Sequence, residues 1–309
     1  MNNEGFNAGK VIRYLFWTFL IAYGMQFIIW RLYSANKTTA GQLVMAAMMF
    51  VPALGVILAG GSLRKMGWKP MLRDNVRTLL IAMLIPAAVV INGATLYYLA
   101  FPSHADLSGS YLQAVAGGSE ILRQLAAEGM DYQSYVIACG IQAVTVAPFI
   151  NMIPALGEEI GWRGFLYPQL KKRFGHFAGN ILGGIIWGAW HWPLIILIGY
   201  EYGAAAGNNV SYIGFPYSGM AMFCLFTVTA GILHFWLYEK SGTIWIPALF
   251  HSGLNAVATL PLLVFKANTG SYRLLGPAIN GFIAMIPLLL CGLVVLTVGP
   301  VLMVDKLNR

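Results

Sequence analysis

Charged residues are scarce in this sequence. Only 10% of its 309 residues are Asp, Glu, Lys or Arg, whereas soluble proteins carry about 25%. Hydrophobic residues make up 58% of the chain, and the mean hydropathy is +0.69. This composition excludes an ordinary soluble protein and predicts an integral membrane protein. The formal net charge of +8 is then typical of loop charges beside a membrane, and we expect no nucleic-acid partner.

Cysteine is also rare, and several motifs are missing. The three cysteines, Cys139, Cys224 and Cys291, lie far apart in apolar segments and form no CxxC pair. This excludes a disulfide framework and a thiolate zinc site. The sequence contains no HExxH zinc motif, and it presents no Ser or Cys in a nucleophile motif. It has no internal repeat and no separable soluble domain, so we expect one integral membrane domain over residues 1–309.

Long apolar runs are the main feature of the sequence. The first run begins at Val11 and is about twenty residues long, which favours a spanning helix over a secretory signal. By length and apolarity the sequence predicts an all-α polytopic membrane protein with about eight transmembrane helices. The eight segments are Val11–Trp30, Leu43–Gly61, Thr78–Phe101, Tyr135–Leu156, Phe177–Ile198, Gly219–Tyr238, Thr243–Phe265 and Asn280–Val304.

The basic residues predict an orientation for these segments. With the N-terminus in the cytoplasm, fourteen of the 19 lysines and arginines fall in cytoplasmic segments and five fall outside. Cytoplasmic loops of membrane proteins carry such an excess of positive charge. The sequence therefore predicts a multi-pass protein of the cell membrane with both termini cytoplasmic.

An acidic pair ends the fourth apolar segment. Glu158 and Glu159 are followed by Arg163, and charges at membrane depth cost a few kcal/mol each unless they have partners or a function. In a helix, Glu159 and Arg163 are spaced i, i+4 and can form an ion pair. Glu158 is rotated by about 100° from its neighbour. We therefore interpret Glu159 and Arg163 as a structural pair, and Glu158 as an acid without a charged partner of its own.

Two further helices carry polar groups in apolar surroundings. In the fifth segment, Trp187 and His191 are spaced i, i+4 and share one face. Pro193 lacks a backbone donor and can open the helix near His191. In the seventh segment, His251 and Asn255 share a face in the same way. With the acidic pair, these residues predict a polar site spread over three helices.

The remaining histidines are interpreted without a functional role. His234 has no polar partner at helical spacing, and a single histidine in a membrane helix often makes a hydrogen bond between helices. We therefore expect a structural role for His234. His104 and His176 fall in loops of the predicted topology.

The predicted site has the groups needed to cleave an amide. A carboxylate and an imidazole, here Glu158 and His191, can hold and deprotonate a water molecule. Hydrogen bonds from His251 and Asn255 could stabilise an oxyanion on the attacked carbonyl. A zinc version stays open, with Glu159, His191 and His251 as candidate ligands and the other glutamate as base. The metal-free version needs no cofactor.

The three motifs together resemble those of the CPBP family. They are Glu158-Glu159-x-x-x-Arg163, Trp187-x-x-x-His191 and His251-x-x-x-Asn255. The family includes the type II CAAX prenyl proteases and the bacterial Abi-type membrane proteins, among them bacteriocin self-immunity proteins. The resemblance covers residues from about 135 to 260, and Trp187 stands where the family more often has Phe.

This resemblance implies an intramembrane endopeptidase with a CAAX-protease-like helical bundle and a cavity open to the cytoplasm. Its substrate would be a membrane-anchored protein or peptide. The roles carried over make Glu158, His191, His251 and Asn255 catalytic, and Glu159, Arg163 and Trp187 supporting residues.

Two functions of another class remain possible from the sequence. Intramembrane Glu and His also form proton relays, so a proton-coupled transporter is one alternative. The lack of an inverted repeat argues against it. A non-catalytic bacteriocin-immunity membrane protein is the other alternative.

Overall fold

The computed structural model describes residues 5–115, 117–203, 212–267 and 269–307, and within these residues the fold is all-α. The only β-type pairing among them is an isolated antiparallel bridge between Ala105 and Phe265. The predicted fold class is therefore confirmed. The helices are α1 (Ala8–Ser34), α2 (Thr38–Met48), α3 (Val51–Leu58), α4 (Val76–Ala100), α5 (Ser110–Ala114), α6 (Gly118–Ala127), α7 (Tyr132–Thr145), α8 (Ala147–Gly161), α9 (Tyr167–Ala189), α10 (Trp192–Ile198), α11 (Tyr217–Ser241), α12 (Trp245–Val257) and α13 (Phe282–Leu307).

Short helical turns join several of these elements. A π-helical turn connects α8 directly to α9, and 3-10 turns precede α4, follow α4 and separate α12 from α13. The turns cover Trp162–Leu166 (π), and Arg73–Asn75, Pro102–His104, Leu260–Val264 and Gly270–Leu274 (3-10).

The predicted number of eight membrane-spanning helices is not confirmed. In the part of the chain that the structure describes, five helical stretches are long and apolar enough to cross a membrane, and α2 with α3, bent by 41°, can form a sixth. The fourth predicted segment is divided between α7 and α8, and the fifth is continuous with α8 in one helical run. The five stretches are Ala8–Ser34, Arg73–Ala100, Ala147–Ile198, Tyr217–Ser241 and Trp245–Val264.

The orientation of the chain in the membrane stays a prediction. The helices agree with a multi-pass membrane protein, but nothing in their arrangement distinguishes one side of the membrane from the other. Arg309, one of the charges behind the cytoplasmic assignment, lies outside the described residues.

The centre of the bundle is formed by α8, α9, α11 and α12. Helix α9 packs along α11, and α12 packs against both α8 and α4. The contact between α9 and α11 is close at Gly184, where an added Cβ would collide with the backbone of Val228. Small residues allow helices to approach in this way, and close packing is a main source of helix association in membranes.

Helices α11 and α12 form the tight hairpin that the sequence predicts. Helix α11 ends at Ser241, and Gly242 adopts the left-handed backbone conformation (φ 69°) that caps the helix and turns the chain. Helix α12 begins at Trp245. Residues at similar distances before and after Gly242 therefore lie at similar depths on neighbouring helices.

The helical run from α9 to α10 breaks at Trp190 and His191, as expected from Pro193. A break leaves backbone groups without helical partners, which must be satisfied inside a membrane. Gln26 of α1, which is fully buried, supplies two of these partners. Its Nε2 donates to the carbonyl of Trp190 (2.6 Å), and its Oε1 accepts from the backbone N–H of Leu194 (3.2 Å).

Candidate active site

The bundle contains a partly open cavity of about 320 Å³. Apolar side chains of α2, α8, α11 and α12 form much of its wall. The polar side chains that line it are Glu158, Trp187, Tyr200, Glu201, His191, His234, His251, Asn255 and Asn280, together with Gln42, Asn151 and Thr227. All four residues predicted to be catalytic are in this set.

Glu158 is held by two indoles rather than by a cation. The side chain is buried, and its Oε2 accepts from Nε1 of Trp162 (3.0 Å) and from Nε1 of Trp187 (2.9 Å). Trp162 lies one helical turn on, in the π-helical turn, and Trp187 comes from α9. Among the described residues no hydrogen bond reaches Oε1. One carboxylate oxygen is thus fixed by neutral donors, and the other is free for a ligand in the cavity.

The predicted pair of Glu159 and Arg163 forms, and it is completely buried. Arg163 Nη1 lies 2.7 Å from Glu159 Oε1, and both side chains have no exposed surface. The guanidinium lies over the rings of Trp187 (4.2 Å to the centroid) and Tyr167 (4.9 Å). The π-helical turn that carries Arg163 is a distortion often found at functional sites.

His251 shares the same carboxylate oxygen. Its Nδ1 lies 2.7 Å from Oε1 of Glu159. Because an ionised carboxylate only accepts hydrogen bonds, Nδ1 carries a proton and donates it. Such a carboxylate–histidine contact fixes the orientation of the ring. Asn255, one turn further along α12, lines the cavity with an exposed side chain.

His191 sits at the helix break with one nitrogen occupied. Its Nδ1 donates to the carbonyl of Trp187 (3.0 Å), because a carbonyl oxygen can only accept. In the neutral ring, Nε2 then carries a lone pair. The ring lies nearly parallel to that of Tyr200, with centroids 6.0 Å apart, and edge-on to Phe223 at 4.8 Å. This arrangement leaves Nε2 as the basic atom that His191 can offer.

His234 lies in the site, although its sequence context predicts only a structural role. Its Nδ1 donates to the carbonyl of Ala230 (2.6 Å), and its buried Nε2 has no hydrogen-bond partner within the described part of the chain. Its ring lies edge-on to His251, with centroids 5.2 Å apart. The α11–α12 hairpin is the sequence feature that predicts the position of His234. Because His234 precedes Gly242 by about as many residues as His251 follows it, the two histidines lie at similar depths.

One group of side chains has the donor set of a metal site. Potential ligand atoms of Glu159, His234 and His251 all lie within 4.8 Å of one another. Among the described residues, this group of candidate metal ligands thus contains His234 in the place where the sequence predicts His191. Two atoms in it, Oε2 of Glu159 and Nε2 of His234, are buried without hydrogen-bond partners. The donors therefore fit zinc by their chemistry.

Two comparisons with known proteins found sequences similar to part of this chain. Residues 140–257 match the family model described as "Type II CAAX prenyl endopeptidase Rce1-like". A stretch of 108 residues is 32% identical to CAAX prenyl protease 2 of Methanococcus maripaludis. That alignment covers 35% of this chain and 37% of the relative, so most of each protein lies outside it. All residues predicted to be catalytic or supporting, from Glu158 to Asn255, fall within the segment that is similar to this family model.

Proposed function

We propose that this protein is an intramembrane endopeptidase that hydrolyses a peptide bond in a membrane-associated protein or peptide. One observation carries the proposal: a single cavity among apolar helices is lined by Glu158, His191, His251 and Asn255. The similarity of residues 140–257 to CAAX prenyl endopeptidases supports the same reaction class.

The first step is activation of water by Glu158 and His191. The free Oε1 of Glu158 accepts one proton of the water, and Nε2 of His191 accepts a hydrogen bond from the other. The water oxygen attacks the carbonyl carbon as its proton passes to Glu158. Trp162 and Trp187 keep the carboxylate in place during this step, since both donate to the oxygen that does not react.

The second step is stabilisation of the tetrahedral intermediate. The carbonyl oxygen becomes an oxyanion, which hydrogen-bond donors stabilise. Asn255 donates from its amide nitrogen. His251 donates from Nε2 when its ring carries both protons, and the carboxylate of Glu159, 2.7 Å from Nδ1, balances that charge. Collapse of the intermediate breaks the C–N bond, and the proton held by Glu158 passes to the leaving amine.

A substrate held in the membrane suits this cavity. The helices around it expose apolar side chains on their outer surfaces, so the substrate would enter from among lipids or from the membrane surface. The relative in Methanococcus is named a CAAX prenyl protease. A C-terminal segment carrying a lipid anchor is therefore the substrate class to try first.

A zinc-dependent version of the same protease is the second candidate, favoured by the group of Glu159, His234 and His251. These side chains would hold the ion, and zinc would supply Lewis-acid polarisation of the substrate carbonyl. Elemental analysis and chelation separate the two versions. Stoichiometric zinc that is lost together with activity supports the zinc enzyme, and full activity in chelator supports the metal-free one.

The decisive test is cleavage of a lipidated fluorogenic peptide by purified protein in proteoliposomes. Glu158→Gln and His191→Ala should each lower kcat by about 100-fold or more, the usual contribution of a general base. Glu120→Gln is the matched control, since this carboxylate is exposed and pairs with Arg123 at the surface. Full activity in either site variant would refute the roles assigned here. Proton-coupled flux without cleavage would instead support a transporter.

A further inference from the structure

The cavity contains a second polar group that the proposed reaction does not use. Glu201, in the loop after α10, and Asn280, just before α13, line the same cavity as Glu158 and His191. Glu201 adopts a left-handed backbone conformation, with φ at 68°. This conformation is unfavourable for a residue with a side chain. It persists only where the surrounding structure holds the residue in place, and such residues cluster at functional sites.

Asn280 and Glu201 together offer hydrogen-bond acceptors. The amide Nδ2 of Asn280 donates to Oε2 of Glu201 (3.0 Å), which assigns the amide orientation. The side chain of Asn280 is 3% exposed, and its Oδ1 has no hydrogen-bond partner among the described residues. Leaving a buried polar atom without a partner destabilises the protein. A donor supplied by a ligand would remove this cost.

The carboxylate of Glu201 has no salt bridge within 4.0 Å in the described ranges. The guanidinium of Arg273 is directed elsewhere, donating to the backbone carbonyl of Glu201 and to the hydroxyl of Tyr111 (3.2 Å). Burial raises the pKa of Glu201, while the charge of Arg273 and hydrogen bonds from Tyr200 and Asn280 offset part of that effect. A cation brought by a ligand would complete the pairing that the protein leaves open.

We propose that Glu201 and Asn280 form a subsite for the cationic side chain of a substrate residue, Lys or Arg, near the bond that is cleaved. The subsite adjoins the reacting groups because Tyr200, the neighbour of Glu201, lies against the ring of His191. An ammonium or guanidinium presents several N–H donors to the carboxylate and the amide oxygen. A divalent metal fits less well, since calcium or magnesium takes about six or more oxygen ligands.

The subsite deepens the proposed function and rests on it, so its test measures binding without cleavage. The probes are capped hexapeptides, N-acetylated and C-amidated, that differ only in Lys against norleucine at one central position. The protein is the full chain carrying Glu158→Gln. We expect the lysine peptide to bind about ten- to a hundredfold more tightly, the range for a buried charge pair.

Glu201→Gln in that background should bring the ratio of the two affinities close to one. Glu201→Asp, which keeps the charge, should restore part of the preference. Glu128→Gln, at an exposed carboxylate beyond α6, is the matched control and should leave the ratio unchanged. Equal binding of both peptides to the parent, or a lysine preference that survives Glu201→Gln, would overturn the subsite.

The same design separates the two proposals. If wild-type protein cleaves none of the lipidated peptides but the lysine preference depends on Glu201, the protease assignment fails and the cation subsite stands. If cleavage depends on Glu158 and the lysine preference is absent, the protease assignment stands and the subsite fails.

Discussion

The central helices α8, α9, α11 and α12, here called the enclosed helices, differ from the outer helices such as α1 and α4 in how many of their residues pack inside the protein. In their most apolar stretches, 61% of residues in α11 and 67% in the region of α12 are buried inside the protein, against 28% in α1 and α4. The outer helices meet lipid with apolar side chains such as Ile12, Leu20 and Leu99. Many apolar residues serve equally well on such a surface, because lipid makes no specific contact.

The enclosed helices carry most of the polar side chains that line the cavity. The segment with family similarity, residues 140–257, coincides with these helices and leaves out α1 to α4. The polar groups of the proposed reaction therefore lie mainly in the enclosed part, while the outer part contributes most of the exposed apolar surface. Gln26, on α1 but bonded at the helix break, is one point where the two parts depend on each other.

The largest effect should come from unpairing the buried charges of the enclosed part. Glu159→Gln leaves Arg163 without its carboxylate at a site with no exposed surface. Breaking a buried pair by removing one partner costs about 3–5 kcal/mol. We expect this loss in the free energy of unfolding, measured by titrating folded protein in mixed micelles with a denaturing detergent.

The matched change at the periphery is Glu120→Gln. The side chain of Glu120 is 51% exposed, and that of its partner Arg123 is 77% exposed. Exposed ion pairs of this kind contribute about 1 kcal/mol or less to the free energy of unfolding. Equal destabilisation by the two substitutions would show that the enclosed and outer parts do not differ as argued.

An intermediate effect is expected where the outer part supports the site. Gln26→Leu keeps most of the side-chain volume but leaves the carbonyl of Trp190 and the N–H of Leu194 without partners. Each unsatisfied buried group costs about 1–3 kcal/mol. Because His191 lies at the same break, the variant should also lower kcat for peptide cleavage. Both the unfolding free energy and kcat are measured.

Asn92→Leu serves as the control for this variant. Asn92 lies on α4 with an exposed side chain that bonds to Ala88 of its own helix. Such a surface change usually alters stability by about 0.5 kcal/mol or less. If Gln26→Leu behaved like this control, the helix break would not depend on α1.

Local features of the fold and site could be predicted from the sequence. The pairing of Glu159 with Arg163 follows from their i, i+4 spacing, and the structure contains it. The break beside His191 follows from Pro193, and the hairpin follows from the short link around Gly242. Each of these depends only on residues a few positions apart, so helix geometry is sufficient to predict it.

Contacts between distant segments could not be predicted in the same way. The indole of Trp187 that holds Glu158, and the proximity of His234 to Glu159, depend on how α8, α9 and α11 pack. Glu201 has no helical neighbour that would mark it as part of a site. The number of spanning helices is likewise not confirmed, because hydropathy does not reveal where an apolar run divides, as between α7 and α8.

The smallest effect is expected outside the enclosed helices, at His104. This residue ends a 3-10 turn beyond α4, and its Nδ1 is 2.8 Å from the hydroxyl of Tyr97. Burial and the charge of Lys266 lower the pKa of His104 from its usual 6.5. The unfolded chain therefore takes up a proton at a higher pH than the folded protein does. Stability should fall as pH drops through about 6.5 and level off below the folded pKa.

This predicts a small loss of stability between pH 7.5 and 5.5, with the direction set by the lowered pKa of folded His104. The effect is measured by unfolding in mixed micelles at several pH values. His104→Gln cannot titrate and should flatten this part of the pH profile, although other histidines leave a residual slope. An unchanged profile in His104→Gln would assign the acid sensitivity to the enclosed histidines. The difference between the two parts of the protein would then extend to protonation as well as to packing.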